Sequence, residues 1–162
     1  MSLKISIDTP LGEMIAVADD EALLLLEFAD RKDLARQLAK LPETPQDGEN
    51  AILRQIRDEL KSYFKGRLTQ FQTPYKKAGT AFQDKVWDAL EHIPSGQTVS
   101  YKDIAGRIQN PKAVRGAASA IGANPLAIMV PCHRVIGSDG SLTGYAGGLE
   151  RKKWLLAHEG AL

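Results

Sequence analysis

The first 75 residues open with a pattern typical of β-strands. Apolar and polar side chains alternate over residues 4–8, and short apolar segments follow at 14–18 and 23–28. The stretch Thr9-Pro10-Leu11-Gly12 between the first two segments has the residue types of a turn. Period-two alternation and short apolar runs separated by turns predict a meander of three strands.

Two helices are predicted after these strands. Asp30 is placed to cap the first helix, whose apolar face bears leucines. The second is predicted from Glu49 to Lys65, with apolar residues at every fourth position and Gly66 placed to end it. A stripe of this kind is typical of a buried core, so this half predicts a small α/β scaffold without visible chemistry.

Capping boxes mark two helix starts in the second half of the chain. Thr80–Gln83 has the form of such a box and opens a helix that Pro94 ends. Ser100–Asp103 has the same form and opens a shorter helix. Both helices begin where a hydroxyl and a carboxyl or amide side chain can satisfy free backbone N–H groups.

A third short helix completes a helix-turn-helix pattern. Asn110 and Pro111 suit its N-cap and first position, and it is predicted to run to about Ile121. Small side chains dominate it and would allow a close approach to another surface, and Arg115 stands out among them. Close packing against a neighbouring helix, with Arg115 in water, is the alternative interpretation.

Composition and charge narrow the class of protein. The 162 residues, 43% hydrophobic and 25% charged, are typical of one globular domain or of two small ones. Residues 1–75 carry 10 Lys and Arg against 13 Asp and Glu, whereas residues 76–162 carry 11 against 7. Residues 104–138 contain no acid but four cations, which suits either a polyanion or a solvated basic face. These cations are Arg107, Lys112, Arg115 and Arg134.

The chain has a single cysteine, Cys132. One cysteine excludes an intramolecular disulfide and a zinc site built from several thiolates. The sequence has no run of about 18 apolar residues and its start does not resemble a signal peptide. We therefore expect a soluble cytoplasmic protein that does not bind a membrane.

The residues around Cys132 suggest chemistry. Pro131-Cys132-His133-Arg134 follows an apolar run, Leu126–Val130, that predicts a buried strand or extended segment. A free cysteine usually packs as a small apolar side chain. His133 and Arg134 are, however, the kinds of group that lower the pKa of a thiol from about 8.5 and make it a nucleophile.

The second half of the chain resembles the O6-alkylguanine-DNA alkyltransferases. The resemblance lies in Ala123-Asn124-Pro125, Val130–Ile136, Gly144–Leu149 and Trp154–Gly160, and it is strong over residues 78–160. It implies an α+β fold. A small N-terminal α/β domain over residues 1–75, with an antiparallel sheet and helices, would precede a mostly helical, winged helix-turn-helix-like domain over residues 76–162.

The resemblance also implies a reaction. The alkyl group of O6-methylguanine in double-stranded DNA, with O4-methylthymine as a second candidate substrate, would pass irreversibly to the Cys132 sulfur, once per molecule. His133 would act as a base through a water and Glu159 would orient it. Tyr101 would donate to the departing base. Asn124 would tie the DNA-binding segment to the active-site strand.

Further residues are implied by the same resemblance. Arg115 would fill the gap left by the flipped nucleotide as its helix enters the minor groove. Ala146 stands where the family often has serine. The residues expected on DNA are Tyr101, Lys112, Ala113, Arg115, Gly116 and Ser119. Those expected around the base are Val135, Tyr145, Ala146 and Gly147. We expect no cofactor, no metal and a monomer; residues 1–75 contain neither cysteine nor histidine.

Two other functions remain open at this point. A cysteine hydrolase using Cys132, His133 and Glu159 would turn over and would not need DNA. A DNA-binding sensor of alkylated bases would bind the lesion without accepting the group. The presence of Cys132 argues against the sensor, because relatives of that type replace the cysteine.

Overall fold

A computed structural model describes residues 1–162, which divide into two compact units, Met1–Lys77 and Ala78–Leu162. The first unit contains a mixed sheet and two helices, and the second is mostly helical. This is the α+β fold that the sequence predicts. No helix in either unit is long and apolar enough to cross a membrane.

The predicted meander is present in the first unit. Strands β1 (Leu3–Thr9), β2 (Gly12–Ala18) and β3 (Leu23–Phe28) pair antiparallel in sequence order. Gly12 adopts a φ of 117°, in the region that favours glycine, where the first two strands turn. A short strand that the sequence pattern did not predict, β4 (Gln46–Asp47), adds parallel to β1.

Both helices of the first unit begin later than predicted. Helix α1 spans Leu34–Ala39 with Asp33, not Asp30, at its N-cap, because a turn closed by Arg31 N–H and the Phe28 carbonyl precedes it. Helix α2 spans Ala51–Phe64, and the Asn50 side chain accepts from Leu53 N–H at 3.0 Å. Its buried face consists of Leu53, Ile56, Leu60 and Tyr63.

The two capping boxes of the second unit are confirmed. Helix α3 spans Ala81–Glu91 behind the Thr80–Gln83 box, and both halves of the box are formed. Helix α4 spans Tyr101–Arg107 behind the complete Ser100–Asp103 box. Strand β5 (Val99–Ser100) leads directly into α4 and pairs parallel with β6 (Val135–Ile136). This pairing places the start of α4 beside the segment that follows Cys132.

The third predicted helix starts at Val114 rather than at Pro111. Helix α5 spans Val114–Gly122, with Ala113 at its N-cap, so the prediction of Asn110 as N-cap was wrong. Gln109 turns the chain with a φ of 59°, and the Asn110 carbonyl then accepts from Ala113 N–H, which closes a separate turn. The Trp87 indole donates to the Ala120 carbonyl at 2.8 Å and fixes α5 against α3.

The apolar segment before Cys132 is buried, but it is not a strand. Residues 127–129 form turns, with Val130 N–H bonded to the Leu126 carbonyl at 2.9 Å. Ile128 has a φ of 69°, which is unusual for a β-branched residue. A single 3-10 turn, Cys132–Arg134, then leads into β6, and helix α6 (Leu149–His158) closes the unit.

Candidate active site

Cys132 lies at the start of the 3-10 turn, with its backbone N–H bonded to the Val130 carbonyl at 2.8 Å. Its side chain is buried, with 8% of the residue exposed, and forms part of a cavity wall. The preceding proline restricts the backbone at the point where the turn begins. The thiol is therefore held in a defined place at the cavity.

The imidazole of His133 is completely buried and bonded to a carboxylate. Its Nε2 lies 2.9 Å from Glu159 Oε2. Because an ionised carboxylate only accepts hydrogen bonds, Nε2 carries the proton and the neutral ring keeps a lone pair on Nδ1. Nδ1 has no hydrogen-bond partner among the protein atoms. Burial lowers the pKa of His133 despite the opposing effect of Glu159, so the ring is a neutral base at pH 7.

Glu159 receives hydrogen bonds from two residues. Besides His133, Arg134 donates from Nε to Oε1 at 2.8 Å and from a terminal nitrogen to Oε2 at 3.0 Å. Burial acts to raise the pKa of Glu159, but the bonds and charges of His133 and Arg134 outweigh it and hold that pKa far below its usual range. Glu159 is therefore ionised, and its carboxylate binds His133 and Arg134 at the same time.

Arg134 does not face a polyanion, contrary to one interpretation of the charge pattern. It is 7% exposed, and its remaining terminal nitrogen donates to the Ile93 carbonyl at 2.6 Å. The guanidinium is hydrogen-bonded to the Glu159 carboxylate and to the carbonyl of Ile93, just after α3. The basic character of this stretch on the surface therefore rests on other residues.

Tyr101 is the first residue of α4, and its hydroxyl points to the loop before α6. The hydroxyl donates to the Thr143 carbonyl at 2.9 Å. Burial raises the pKa of Tyr101, the Thr143 bond lowers it by less, and negative charge on Cys132 raises it further. The phenol is thus protonated at neutral pH, and its proton is bound by the Thr143 carbonyl.

A cavity of about 420 Å³ opens beside Cys132. Tyr145 and Ala146 belong to its wall, whereas Val135 and Gly147 do not line it. The Val135 side chain is completely buried, and the Gly147 carbonyl accepts from Arg151 on α6. Ala146 offers no side-chain hydrogen bond. The wall consists of Tyr101, Ala118, Ile121, Gly122, Cys132, Thr143, Gly144, Tyr145 and Ala146.

Asn124 connects the end of α5 to the segment before Cys132. Its Nδ2 donates to the Val130 carbonyl at 2.8 Å, and its Oδ1 accepts from Leu126 N–H at 3.0 Å. The side chain is 2% exposed, so these bonds form away from water. Asn124 thereby satisfies backbone groups that a neighbouring strand would satisfy in a sheet.

Comparisons with known proteins agree with this geometry. The family model of the 6-O-methylguanine DNA methyltransferase ribonuclease-like domain matches residues 3–76, and that of the DNA binding domain matches residues 81–161. The methylated-DNA–protein-cysteine methyltransferase of Salmonella typhimurium is 42% identical over 165 residues, covering 99% of this chain and 96% of that protein. The chain belongs to the 6-O-methylguanine DNA methyltransferase family.

Solved structures of the methyltransferase family share this fold over nearly the whole chain. Mycobacterium tuberculosis O6-methylguanine methyltransferase matches with a TM-score of 0.88 and 38% identity, covering 99% of this chain and 94% of that one. Mycobacterium tuberculosis OGT in complex with DNA matches with a TM-score of 0.87 and 39% identity, covering 98% of this chain and 92% of that one.

In this methyltransferase family member, several residues predicted on DNA lie along one exposed side of α5. Arg115, Gly116 and Ser119 are exposed, and Lys112 is exposed in the preceding turn. Ala113 is half-buried at the N-cap. Gly116 lies over Phe82, where an added Cβ would approach the ring to 3.4 Å. Ala118, Ile121 and Gly122 of the same helix contribute to the cavity wall, so one short helix borders both surfaces.

The positions of two buried cations near Cys132, Arg134 and Lys152, were not predicted from the sequence. Arg134 was considered only as a neighbour of the thiol or of a polyanion, and Lys152 was not considered. Lys152 is completely buried on α6, three and four residues before the buried Leu155 and Leu156 and seven before Glu159. Helical periodicity places all four on one face, and this signal was available in the sequence.

Proposed function

We propose that this protein repairs O6-alkylguanine in double-stranded DNA by transferring the alkyl group to Cys132. The observation that carries the proposal is the buried Cys132 beside a His133–Glu159 pair, at a cavity bordered by the helix that bears Arg115. Nucleophile, base and orienter are the three parts that such a reaction requires.

The reaction follows from the protonation states of the site. The Cys132 proton passes through a water to His133 Nδ1, and the sulfur attacks the alkyl carbon attached to O6. The carbon–oxygen bond breaks, its electron pair stays on guanine, and Tyr101 donates a proton to the base. The product is a thioether, which is not hydrolysed, so the protein acts once.

The lesion reaches Cys132 by rotation out of the duplex. Flipping costs about a few kcal/mol, and less for a poorly paired base. The exposed Arg115 on α5 occupies the gap in the base stack from the minor groove, with Tyr101, Lys112, Ala113, Gly116 and Ser119 near the backbone. Asn124 holds the end of α5 to the Cys132 segment, so helix and nucleophile keep one spacing.

The proposal assigns different tasks to the two parts of the chain. Residues 1–75 act as an N-terminal scaffold, and residues 76–162 bind DNA and accept the alkyl group. Val135 and Gly147 support the pocket through their backbones, behind the wall that Tyr145 and Ala146 form. A reduced single cysteine suits the cytoplasm.

O4-methylthymine is a second candidate substrate, to be tested beside O6-methylguanine.

Intact-mass analysis after incubation with a duplex containing O6-methylguanine tests the function. We expect the mass of one methylene to be added to the peptide that contains Cys132, in proportion to the guanine repaired. Cys132→Ala should bind the duplex but gain no mass. An unchanged wild-type mass with DNA bound would instead support a sensor. Turnover of a small ester or thioester without DNA would support a hydrolase.

A further inference from the structure

Lys152 is a buried cation whose hydrogen bonds all go to backbone carbonyls. Its Nζ donates to Val135 at 2.6 Å, to Thr143 at 2.7 Å and to Gly144 at 3.2 Å. These bonds use the three protons of an ammonium group. A completely buried lysine is rare unless it is paired with a carboxylate. Its placement among neutral acceptors therefore calls for a functional explanation.

The three carbonyls belong to two separate segments next to the acceptor site. Val135 directly follows the 3-10 turn that begins at Cys132, whereas Thr143 and Gly144 lie in the loop before α6 and line the cavity together with Cys132. The Thr143 carbonyl also accepts from the Tyr101 hydroxyl at 2.9 Å. Lys152 and Tyr101 thus share one acceptor, and Nζ lies 5.9 Å from the centre of the Tyr101 ring.

Lys152 is also the available positive charge of this site. His133 is neutral, and the charge of Arg134 is compensated by both oxygens of Glu159. Burial lowers the pKa of Lys152 to about 8, while negative charge on Cys132 acts to raise it. This interaction is mutual: a charged Lys152 favours the thiolate as much as the thiolate favours the ammonium.

We propose that Lys152 is an electrostatic positioning residue of the acceptor site. Its ammonium holds the 143–144 loop against the Cys132 segment and offsets the negative charge that forms first on the Cys132 sulfur and then on the Tyr101 oxygen. Lys152 keeps all its protons during transfer: the thiol proton goes to His133, and the proton taken by guanine comes from Tyr101. This assignment rests on the proposed alkyl transfer.

A double-mutant cycle separates an electrostatic role from a merely structural one. Lys152→Met keeps the length of the side chain and removes its charge, Tyr101→Phe removes the phenol, and Lys153→Met is the matched control at the exposed neighbouring residue. We expect Lys152→Met to slow methyl transfer about a hundredfold, as the loss of a preorganised group does. In the Tyr101→Phe background the loss should shrink to about tenfold, and Lys153→Met should match the wild type. Equal losses in the two backgrounds would overturn the proposal.

The wild-type pH profile tests the same charge without a substitution. Because the ammonium loses its charge as the pH rises through about 8, the transfer rate should fall over that interval. Other titratable or charged groups interact with Lys152 or with its partners and could also affect the profile, so the comparison with Lys152→Met is needed. They are Cys132, Tyr101, His133, Arg134 and Glu159. The fall should be absent in Lys152→Met. A fall that persists unchanged in Lys152→Met would overturn the assignment.

Alkylation of Cys132 by iodoacetamide distinguishes a failure of this proposal from a failure of the proposed function. The reagent needs only the thiolate, and the chain has no other cysteine. Lys152→Met should move the midpoint of alkylation to higher pH. If the wild type repairs DNA but neither alkylation nor transfer changes in Lys152→Met, the function stands and the Lys152 proposal fails. If the wild type transfers no methyl group yet the midpoint moves, the function fails and the electrostatic role stands.

Discussion

Glu159→Gln tests the orienting role at the centre of the site. Glu159 is almost completely buried and accepts from His133 and from two nitrogens of the Arg134 guanidinium, at 2.8 to 3.0 Å. Glutamine has nearly the same shape but only one acceptor oxygen, and its other end donates. When the oxygen stays on Arg134, the amide nitrogen faces His133 Nε2. The His133 ring then carries its proton on Nδ1. That nitrogen no longer has the lone pair that accepts the Cys132 proton.

Two magnitudes follow from this geometry. Removing one partner of a buried ion pair costs about 3 to 5 kcal/mol, so the free energy of unfolding should fall by that amount. Holding the base in the wrong tautomer lowers the rate of a catalytic triad about 10⁴-fold, and a thiol, which is more nucleophilic, should lose about 10³-fold.

The assay is single-turnover transfer from a duplex containing O6-methylguanine, followed by intact mass, with urea unfolding measured on the same preparation. Glu150→Gln, at an exposed position in the first turn of α6, is the matched control and should behave as the wild type. A folded Glu159→Gln protein that transfers the methyl group at the wild-type rate would refute the orienting role.

Three further predictions follow from the same structure. Arg115→Ala should slow repair of duplex DNA while leaving the reaction with free O6-benzylguanine unchanged, because Arg115 is exposed on α5 outside the cavity; equal losses with both substrates would contradict a role in base extrusion. Asn124→Ala should lower the free energy of unfolding by about 1 to 3 kcal/mol, since buried backbone groups of Leu126 and Val130 lose their partner; urea unfolding without a change would contradict this. The lowered pKa of Glu159 adds stability that is complete above about pH 4.3, and that of His133 adds stability complete above about pH 6.5, so the unfolding free energy should fall as the pH drops through each folded pKa; the same acid dependence in Glu159→Gln would contradict the Glu159 contribution.

Local signals in the sequence predicted the features that depend on neighbouring residues. The Thr80–Gln83 and Ser100–Asp103 boxes are formed because each side chain reaches a backbone group only three residues away. The start of α5 was placed too early for the same local reason. Asn110-Pro111 suits a helix start, but the left-handed turn at Gln109 and the Asn110–Ala113 turn use those residues first.

Features that depend on distant residues were harder to predict. A short apolar run such as Leu126–Val130 fits a strand or a buried turn equally well, and the Asn124 side chain decides between them by bonding to its backbone. The Arg134–Glu159 pair spans 25 positions, and no periodicity indicates it. Lys152 was overlooked because a lysine is usually assigned to the surface, although its helical spacing to Leu155 and Leu156 indicates the buried face.

A titration of repaired lesions against protein tests the central claim most directly. Excess duplex containing O6-methylguanine is incubated with a known amount of the wild-type protein, and restored guanine and methylated Cys132 are counted together. The account predicts that repair stops at one guanine per protein molecule, with one methyl group on Cys132. Repair that continues beyond one equivalent, or that leaves Cys132 unmodified, would contradict it.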